Sequence, residues 1–302
     1  MKRKHYILST ILILLLVIIS CNKTDTGPES VAPRDRGQEA TRATEEIEEY
    51  LQTHFYNYEA FENPTPDFDY VIRFDTIAGE NSDKTPLINQ VSFKTVQDRV
   101  DQDVTYKLYY LKVLQGEGES PDFPDITVLT YEGRLLNNDL FDATVNPVRF
   151  DLTQVVNGLQ DALTEFNGAS VGPIDNGDGT VSYENFGVGA VFIPSGLAYF
   201  VEPPPSSNIP VYGQLIFTFK LFEREVGDQD NDGVISILED VNQNGLEEDD
   251  NTDGDFLLNY ADPDDDDDGK LTRDEIIIDE DGNVTFPDSD GDGTPDYLDA
   301  DS

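Results

Sequence analysis

From Ile126 to Phe222 apolar and polar positions alternate in runs of strand length. ITVLTYEG (Ile126–Gly133) reads as an apolar strand closed by a turn, and AVFIPSGLAYF (Ala190–Phe200) and IPVYGQLIFTFKLF (Ile209–Phe222) as later ones. A period of two puts every second side chain on one face, so each run needs a packed surface beside it. Between them lie RLLNNDLFD, ending at Asp142, the charge-poor ribbon PVRFDL and a short helical segment, Gln154–Leu163. The pattern predicts an α+β fold class, with an antiparallel sheet curled over one side of that helix. Residues 167–189 interrupt it with a turn expected at DNGDG (Asp175–Gly179).

Upstream, a helical pattern begins at Thr41, with Ile47, Tyr50 and Leu51 on one face and glutamates along the other. FYNYEAF (Phe55–Phe61) is aromatic-rich and ends at a Pro-containing turn, while Asp69–Ile77 and Val104–Leu114 read as strands. Residues 39–119 are therefore expected to form an α+β extension packed against the domain of residues 120–226 and able to add strands to it. Its aromatics read as core, with a peptide-binding surface as the alternative.

The first residues follow another logic. Lys2, Arg3 and Lys4 precede an apolar run, Tyr6–Ile19, that is shorter than the ~20 residues a membrane-spanning helix needs. It fits the apolar core of a secretory signal and ends in Ser20-Cys21. Cys21 is the sole cysteine and a polar run follows it, which points to a bacterial lipoprotein signal over residues 1–20, with Cys21 lipidated and the chain held at a membrane. A plain signal peptide or an uncleaved anchor are the alternatives. Residues 21–38, with Pro28 and Pro33, read as a flexible tether. With one cysteine there can be no internal disulfide, so the fold must rest on its core or on bound ions.

Charge changes the picture at the other end. Of a formal net charge of -43, much lies in Asp228–Ser302, which holds 28 acidic residues against Lys270 and Arg273. A disordered solubilising tail is the default for such a run. The spacing argues for more. DQDNDGVISILE sets Asp228, Asp230, Asp232, Gly233, Ser236 and Glu239 at places 1, 3, 5, 6, 9 and 12 of an EF-hand-type loop. Asp264, Asp266, Asp268, Gly269, Thr272 and Glu275 repeat the spacing, and Asp288, Asp290, Asp292, Gly293, Asp296 and Asp299 offer a third version. Alternating carboxylates can turn inward on a tight loop, glycine permits the bend, and a distal carboxylate closes the shell. The apolar eighth residue, Ile235 or Leu271, is expected in a small core. Hard oxygen ligands in that number suit Ca²⁺. No long helices flank these loops, so residues 227–302 are expected to be an irregular calcium-loop tail. The third loop and the weaker stretch Asn251–Asp264 resemble thrombospondin type 3 repeats.

Composition also excludes. His5 and His54 are the only histidines, which leaves no material for a Ser-His-Asp triad or a His-rich zinc site. The charge repels nucleic acid, and no basic stripe or phosphate-cradling glycine loop is present.

The order of motifs in residues 120–226 resembles the FK506-binding-protein (FKBP) type of peptidyl-prolyl cis-trans isomerase. The strand pair of that family is met by Val128, Tyr131, Gly133, Leu135, Phe141 and Asp142, and its Pro-Phe-Leu element by Pro147, Phe150 and Leu152. Val155, Val156, Gly158 and Leu159 answer its Val-Ile-x-Gly-Trp; Ile193, Pro194, Leu197, Ala198 and Tyr199 its Ile-Pro-x-x-Leu-Ala-Tyr; Ile209, Pro210, Leu215, Phe217 and Leu221 its closing segment. The resemblance implies an apolar cup of Tyr131, Phe141, Val155, Val156, Ile209 and Phe217 with Leu159 as floor, and Asp142 and the Tyr199 hydroxyl at the rim. It implies proline-containing polypeptides as partners and no cofactor for catalysis; nothing in it fixes the oligomeric state. Leu159 stands where the family usually has Trp, Phe200 where it has Gly, Val211 where it has Pro, and Val148 where an aromatic is common. A passive proline-binding module and a calcium-dependent surface or adhesion lipoprotein therefore stay open as alternatives. With the signal sequence, the chain is similar to FKBP-type lipoproteins of Gram-negative cell envelopes, which implies lipid anchoring at an outer membrane and help with the folding of exported proteins.

Overall fold

The Asp35 side chain accepts a hydrogen bond from the Gln38 N–H at 2.9 Å and so caps helix α1 (Arg36–Thr53). The structure is a computed structural model that describes residues 32–302; Cys21, the signal sequence of residues 1–20 and most of the expected tether lie outside them. Along α1, Ala40, Ala43, Ile47, Tyr50 and Leu51 fall on one face and all are buried. The helix thus begins at Arg36 and not at Thr41, inside the stretch expected to be a tether. Strand β1 (His54–Tyr56) follows, then the short helix α2 (Tyr58–Glu62), and β1 pairs with β2 (Phe74–Thr76). The strand expected over Asp69–Ile77 shrinks to those three residues. Asp69 accepts from the Val71 N–H at 3.1 Å and from Arg73, a local turn that competes with a ladder.

The remaining strands are β3 (Ser92–Gln97), β4 (Thr105–Leu114), β5 (Ile126–Leu135) and β6 (Leu140–Asp151). After helix α3 (Asn157–Leu163) come β7 (Val171–Asp175), β8 (Val181–Glu184), β9 (Gly187–Ile193) and β10 (Leu215–Glu225). One six-stranded antiparallel sheet runs in the order β3-β4-β9-β10-β5-β6. Two of its strands come from the upstream extension. The PVRFDL ribbon closes β6 through Asp151, with Phe150 opposite Thr127, and its Leu152 opens the next turn. The insertion forms a separate hairpin, β7 with β8, around the expected turn.

Parity sorts the two faces. Tyr106, Leu108, Val191, Ile193, Leu215, Phe217 and Phe219 meet Leu159, Ala162 and Leu163 of α3. Tyr109, Leu111, Val188, Ala190, Phe192 and Ile216 take the other parity and meet Ile47, Tyr50 and Leu51 of α1. Helices on both sides explain why every residue of β9 is buried. Each fully buried Leu, Ile or Phe here contributes about 1.5–3 kcal/mol.

Helix α3 starts at Asn157 rather than Gln154, for a local reason. Asp151 accepts from the Thr153 N–H at 2.9 Å and caps a 3₁₀ turn at Leu152–Gln154. Val155 and Val156 then stay extended, with ψ of 172° and 141°, as β-branched residues prefer.

Beyond β10 the tail runs through short 3₁₀ turns and a two-residue ladder, β11 (Ile277–Ile278) with β12 (Val284–Thr285). Val234, Ile276 and Tyr297 form a small core. The buried apolar residue of the first loop is thus Val234, at the seventh place; Ile235 and Leu271 are only half-buried. The ninth residues turn to their own loops' second residues: Ser236 donates to Gln229 at 2.5 Å, Thr272 to Asp265 at 2.7 Å, and Ser289 donates to Asp296 at 2.7 Å. The tail is docked. Gln229 Nε2 donates to the Pro124 carbonyl at 2.6 Å, the Gly227 N–H to Asp125 at 3.1 Å, and Arg99 pairs with Glu248 at 2.7 Å. Residues 35–302 accordingly hold together as one unit. Among the described residues no helix is long and apolar enough to cross a membrane.

Candidate active site

Strands β5, β6 and β10, the extended Val155-Val156 pair, the start of α3 and the segment before β10 enclose a cavity of about 640 Å³. All nine residues expected at the cup and rim line it: Tyr131, Phe141, Asp142, Val155, Val156, Leu159, Tyr199, Ile209 and Phe217. Leu159, Ile209 and Phe217 are buried at its base, and the others are partly exposed, with Asp142 open to solvent. Phe217 is the hub of the wall. Its ring lies 5.4 Å from Phe141 in an edge contact and 6.0 Å from Tyr131, which in turn tilts 5.0 Å from Phe150.

Gly133 makes this wall possible. It pairs with Asp142 across β5 and β6, and a Cβ there would fall 2.5 Å from the Phe141 ring and 3.2 Å from Phe217. Only a residue without a side chain lets the Phe141 ring come this close to the strand.

The polar groups sit at the mouth. The Tyr131 hydroxyl donates to Asp142 Oδ2 at 2.6 Å, and Asp142 Oδ1 accepts from the Ala143 N–H at 2.9 Å. Burial, and then the accepting carboxylate, push the Tyr131 phenol above its ordinary value, so it stays a donor throughout the working pH range. Burial followed by the Asp142 charge raises Tyr199 as well. No hydrogen bond joins the Tyr199 hydroxyl to another described residue, which leaves a protonated donor facing the cavity. Among the described residues no imidazole, thiolate or cation lines the space, so these residues have the means to desolvate and orient a ligand rather than to attack it.

Sequence reasoning did not single out Gln154, Pro204, Ser206 and Ser207, which complete the rim. Phe150 was visible as a motif residue but not as wall. Pro204 to Ser207 belong to the stretch PPPSS, and its three consecutive prolines were the available signal. A second hollow, of about 280 Å³, lies between residues 69–72 and β5, β6 and β10. Its lining includes Asp69, Glu132 and Lys220, which suits an apolar prolyl ring less well than the aromatic cup.

In the tail, each of three expected acidic triplets converges: in Asp228, Asp230 and Asp232, in Asp264, Asp266 and Asp268, and in Asp288, Asp290 and Asp292, carboxylate oxygens lie within 4.8 Å of one another. Glycines 233, 269 and 293 at the sixth places have φ of 100°, 90° and 106°, the left-handed bend the spacing anticipated. The closing residues do not all follow. Glu239 meets Asp232 together with Asp265, which the twelve-residue register left out. Glu275 accepts from Lys270 at 3.1 Å instead, and neither it nor Asp299 joins its triplet. A further group, Asp253, Asp255 and Asp262, comes from the weaker stretch. These carboxylates fit a hard cation, since several of their buried oxygens have no hydrogen-bond partner.

No protein-family model matches the chain. Over 64 residues (20% of this chain, 28% of the relative) it is 41% identical to the peptidyl-prolyl cis-trans isomerase Mip of Coxiella burnetii. Over 117 residues (38% of this chain, 36% of the relative) it is 32% identical to the probable FKBP-type peptidyl-prolyl cis-trans isomerase FkpA of Neisseria meningitidis serogroup B. The chain spans about a third of the length of these curated relatives. Among solved structures, a peptidyl-prolyl cis-trans isomerase of Pseudomonas syringae pv. tomato is 16% identical with a TM-score of 0.35, covering 65% of this chain and 99% of that one. The sequence matches establish that the chain carries a segment homologous to FKBP-type peptidyl-prolyl cis-trans isomerases.

Proposed function

We propose that the chain catalyses cis–trans isomerisation of X-Pro bonds in polypeptides exported to the cell envelope. The observation that carries this reading is the shared concavity of Tyr131, Phe141, Leu159, Ile209 and Phe217, with Asp142 and the Tyr199 hydroxyl at its mouth. Rotation about a peptide bond faces a barrier of roughly 18–20 kcal/mol because it destroys amide resonance. The twisted amide is less polar than the planar one and loses less on leaving water. An apolar cup therefore favours it over the ground state. Asp142 and the Tyr199 O–H would hold the flanking backbone while the prolyl ring turns against Phe217. No bond forms or breaks, so neither a nucleophile nor a metal takes part. The test is a proline-limited refolding reaction, in which the chain should act below stoichiometric concentration and Asp142→Val or Tyr199→Phe should slow it.

The reading extends to both ends. Lipid on Cys21 would hold the chain at an outer membrane, and Cys21→Ser should release it and abolish labelling by a radioactive fatty acid. Calcium in the acidic tail would neutralise the converging triplets. Circular dichroism during calcium titration should then report a structural change, and a flat response would remove the proposal. One residue favours a second reading. Leu159 makes the floor smaller than an indole would and offers no N–H donor, which suits a module that holds prolyl segments without turning them over. Such a module would bind a prolyl peptide and leave refolding rates unchanged.

A further inference from the structure

The interior of the tail does not respect the division into separate loops. Asp232 and Glu239 of the first loop and Asp265 of the second bring carboxylate oxygens within 4.8 Å of one another. These residues are 3%, 0% and 1% exposed. Asp232 Oδ2, both Glu239 oxygens and Asp265 Oδ1 have no hydrogen-bond partner. The other oxygens of the two aspartates are held by the protein: Asp232 Oδ1 accepts from the Val234 N–H at 2.7 Å, and Asp265 Oδ2 from the Thr272 hydroxyl at 2.7 Å. Each aspartate is thus fixed by one oxygen and turns the other inward. Lys270 does not answer them, since it pairs with Glu275.

Buried carboxylates with no cation are among the most unfavourable arrangements a protein can hold. The group is built around a positive charge.

We infer that Asp232, Glu239 and Asp265 form one site for a hard divalent cation of the calcium class, shared between the first and second loops, with Asp228 and Asp230 as additional ligands. Calcium accepts 6–8 oxygens at about 2.3–2.6 Å, so two ligands of one ion stand at most about 5 Å apart, a limit that these oxygens, all within 4.8 Å of one another, meet. Magnesium demands a tighter octahedron and keeps several waters, which a buried cage of carboxylates does not favour. The inference rests on the cation-binding reading of the tail and sharpens it. Asp265, at the second place of its own loop, serves its neighbour, and Thr272 holds it in place. The ion staples the two loops, and because the first loop is tied to the sheet domain through Gln229 and Gly227, it also fixes the tail there.

Calorimetric titration of the chelator-stripped full chain with calcium tests this. Asp265→Asn should lose one bound ion, or weaken one site tenfold or more, whereas Asp267→Asn, an exposed neighbour in the same acidic run, should leave the isotherm unchanged. Glu239→Gln should remove the same site, and the double variant should lose no more than either alone. In metal-free buffer Asp265→Asn should melt no lower than the parent, because it removes an unpaired buried charge. Wild-type binding by Asp265→Asn, or two sites lost in the double variant, would overturn the shared site while leaving calcium in the tail intact. Absence of calcium uptake by the parent would remove both.

Discussion

The guanidinium of Arg36 stands 4.3 Å over the ring of Phe200. Phe200 has a φ of 49°, in the left-handed region where a side chain costs about 1–2 kcal/mol and where the FKBP pattern has glycine. Its ring contacts offset that cost. Tyr212 meets Phe200 edge-on at 5.1 Å, and the cation over its face adds about 0.5–1 kcal/mol. Arg36 also donates to Gly196 O at 3.1 Å, so the first turn of α1 helps to hold the loop that carries Tyr199.

Removing that side chain should be felt twice. Arg36 Nε donates to Asp98 Oδ2 at 2.6 Å, and the Asp98 side chain is fully buried. Arg36→Ala should destabilise the fold by about 3 kcal/mol in urea denaturation, because it strands a buried carboxylate. It should also lower kcat/KM through Tyr199. Arg36→Lys should rescue only part of either effect, since lysine lacks the planar fork.

The same pair sets an acid limit. Burial raises the Asp98 carboxyl, but Arg36, the Asp101 and Val100 N–H groups and the Tyr106 hydroxyl outweigh it and leave the group below its ordinary value. A carboxyl depressed in the folded state contributes stability above its unfolded pKa, about 4, and that contribution is lost as pH falls through the folded value. The gap in urea midpoint between the parent and Arg36→Ala should therefore be widest at pH 6 and close as the pH falls to 3.

Gly133 predicts a different failure. In Gly133→Ala the new methyl would meet the Phe141 ring at 2.5 Å. Overpacking of this kind costs about 1–3 kcal/mol, and displacing Phe141 should weaken prolyl-peptide binding more than it lowers the melting temperature. Fluorescence-polarisation binding and thermal melts on one preparation separate the two.

How far the sequence alone reached depended on the range of the interaction. The cup was legible because Tyr131, Gly133, Phe141 and Asp142 sit on adjacent strands at motif spacing, and because alternation in β10 puts Phe217 on the helix face. Val155 and Val156 were placed in the right region but on a helix, since helical periodicity hides the Asp151 cap that delays α3. The pairing of β4 with β9 joins residues about eighty positions apart, and no local pattern encodes such a register. Arg36 looked like tether for the same reason: its partners Asp98, Gly196 and Phe200 are far along the chain. In the tail, the spacing revealed each triplet, but Asp265 lies one place off its own loop's register and finds its role only across loops.

Leu159 offers a gain-of-function test. The cavity above it measures about 640 Å³, and an indole at this position would give the prolyl ring a broader floor and add an N–H donor. Leu159→Trp should raise kcat/KM for a prolyl peptide, by roughly tenfold if one buried hydrogen bond of about 1.4 kcal/mol is gained in the transition state. Steady-state kinetics on the pair of proteins reads this directly.

The central claim is that the hollow around Phe217 lowers the barrier to prolyl rotation. Its most direct test is the refolding rate of a proline-limited substrate protein as increasing amounts of the purified chain are added. The account predicts a rate that rises in proportion to the chain at substoichiometric concentrations, with Asp142→Asn lowering the slope by tenfold or more. A refolding rate that stays flat up to equimolar chain, while a prolyl peptide still binds, would contradict it.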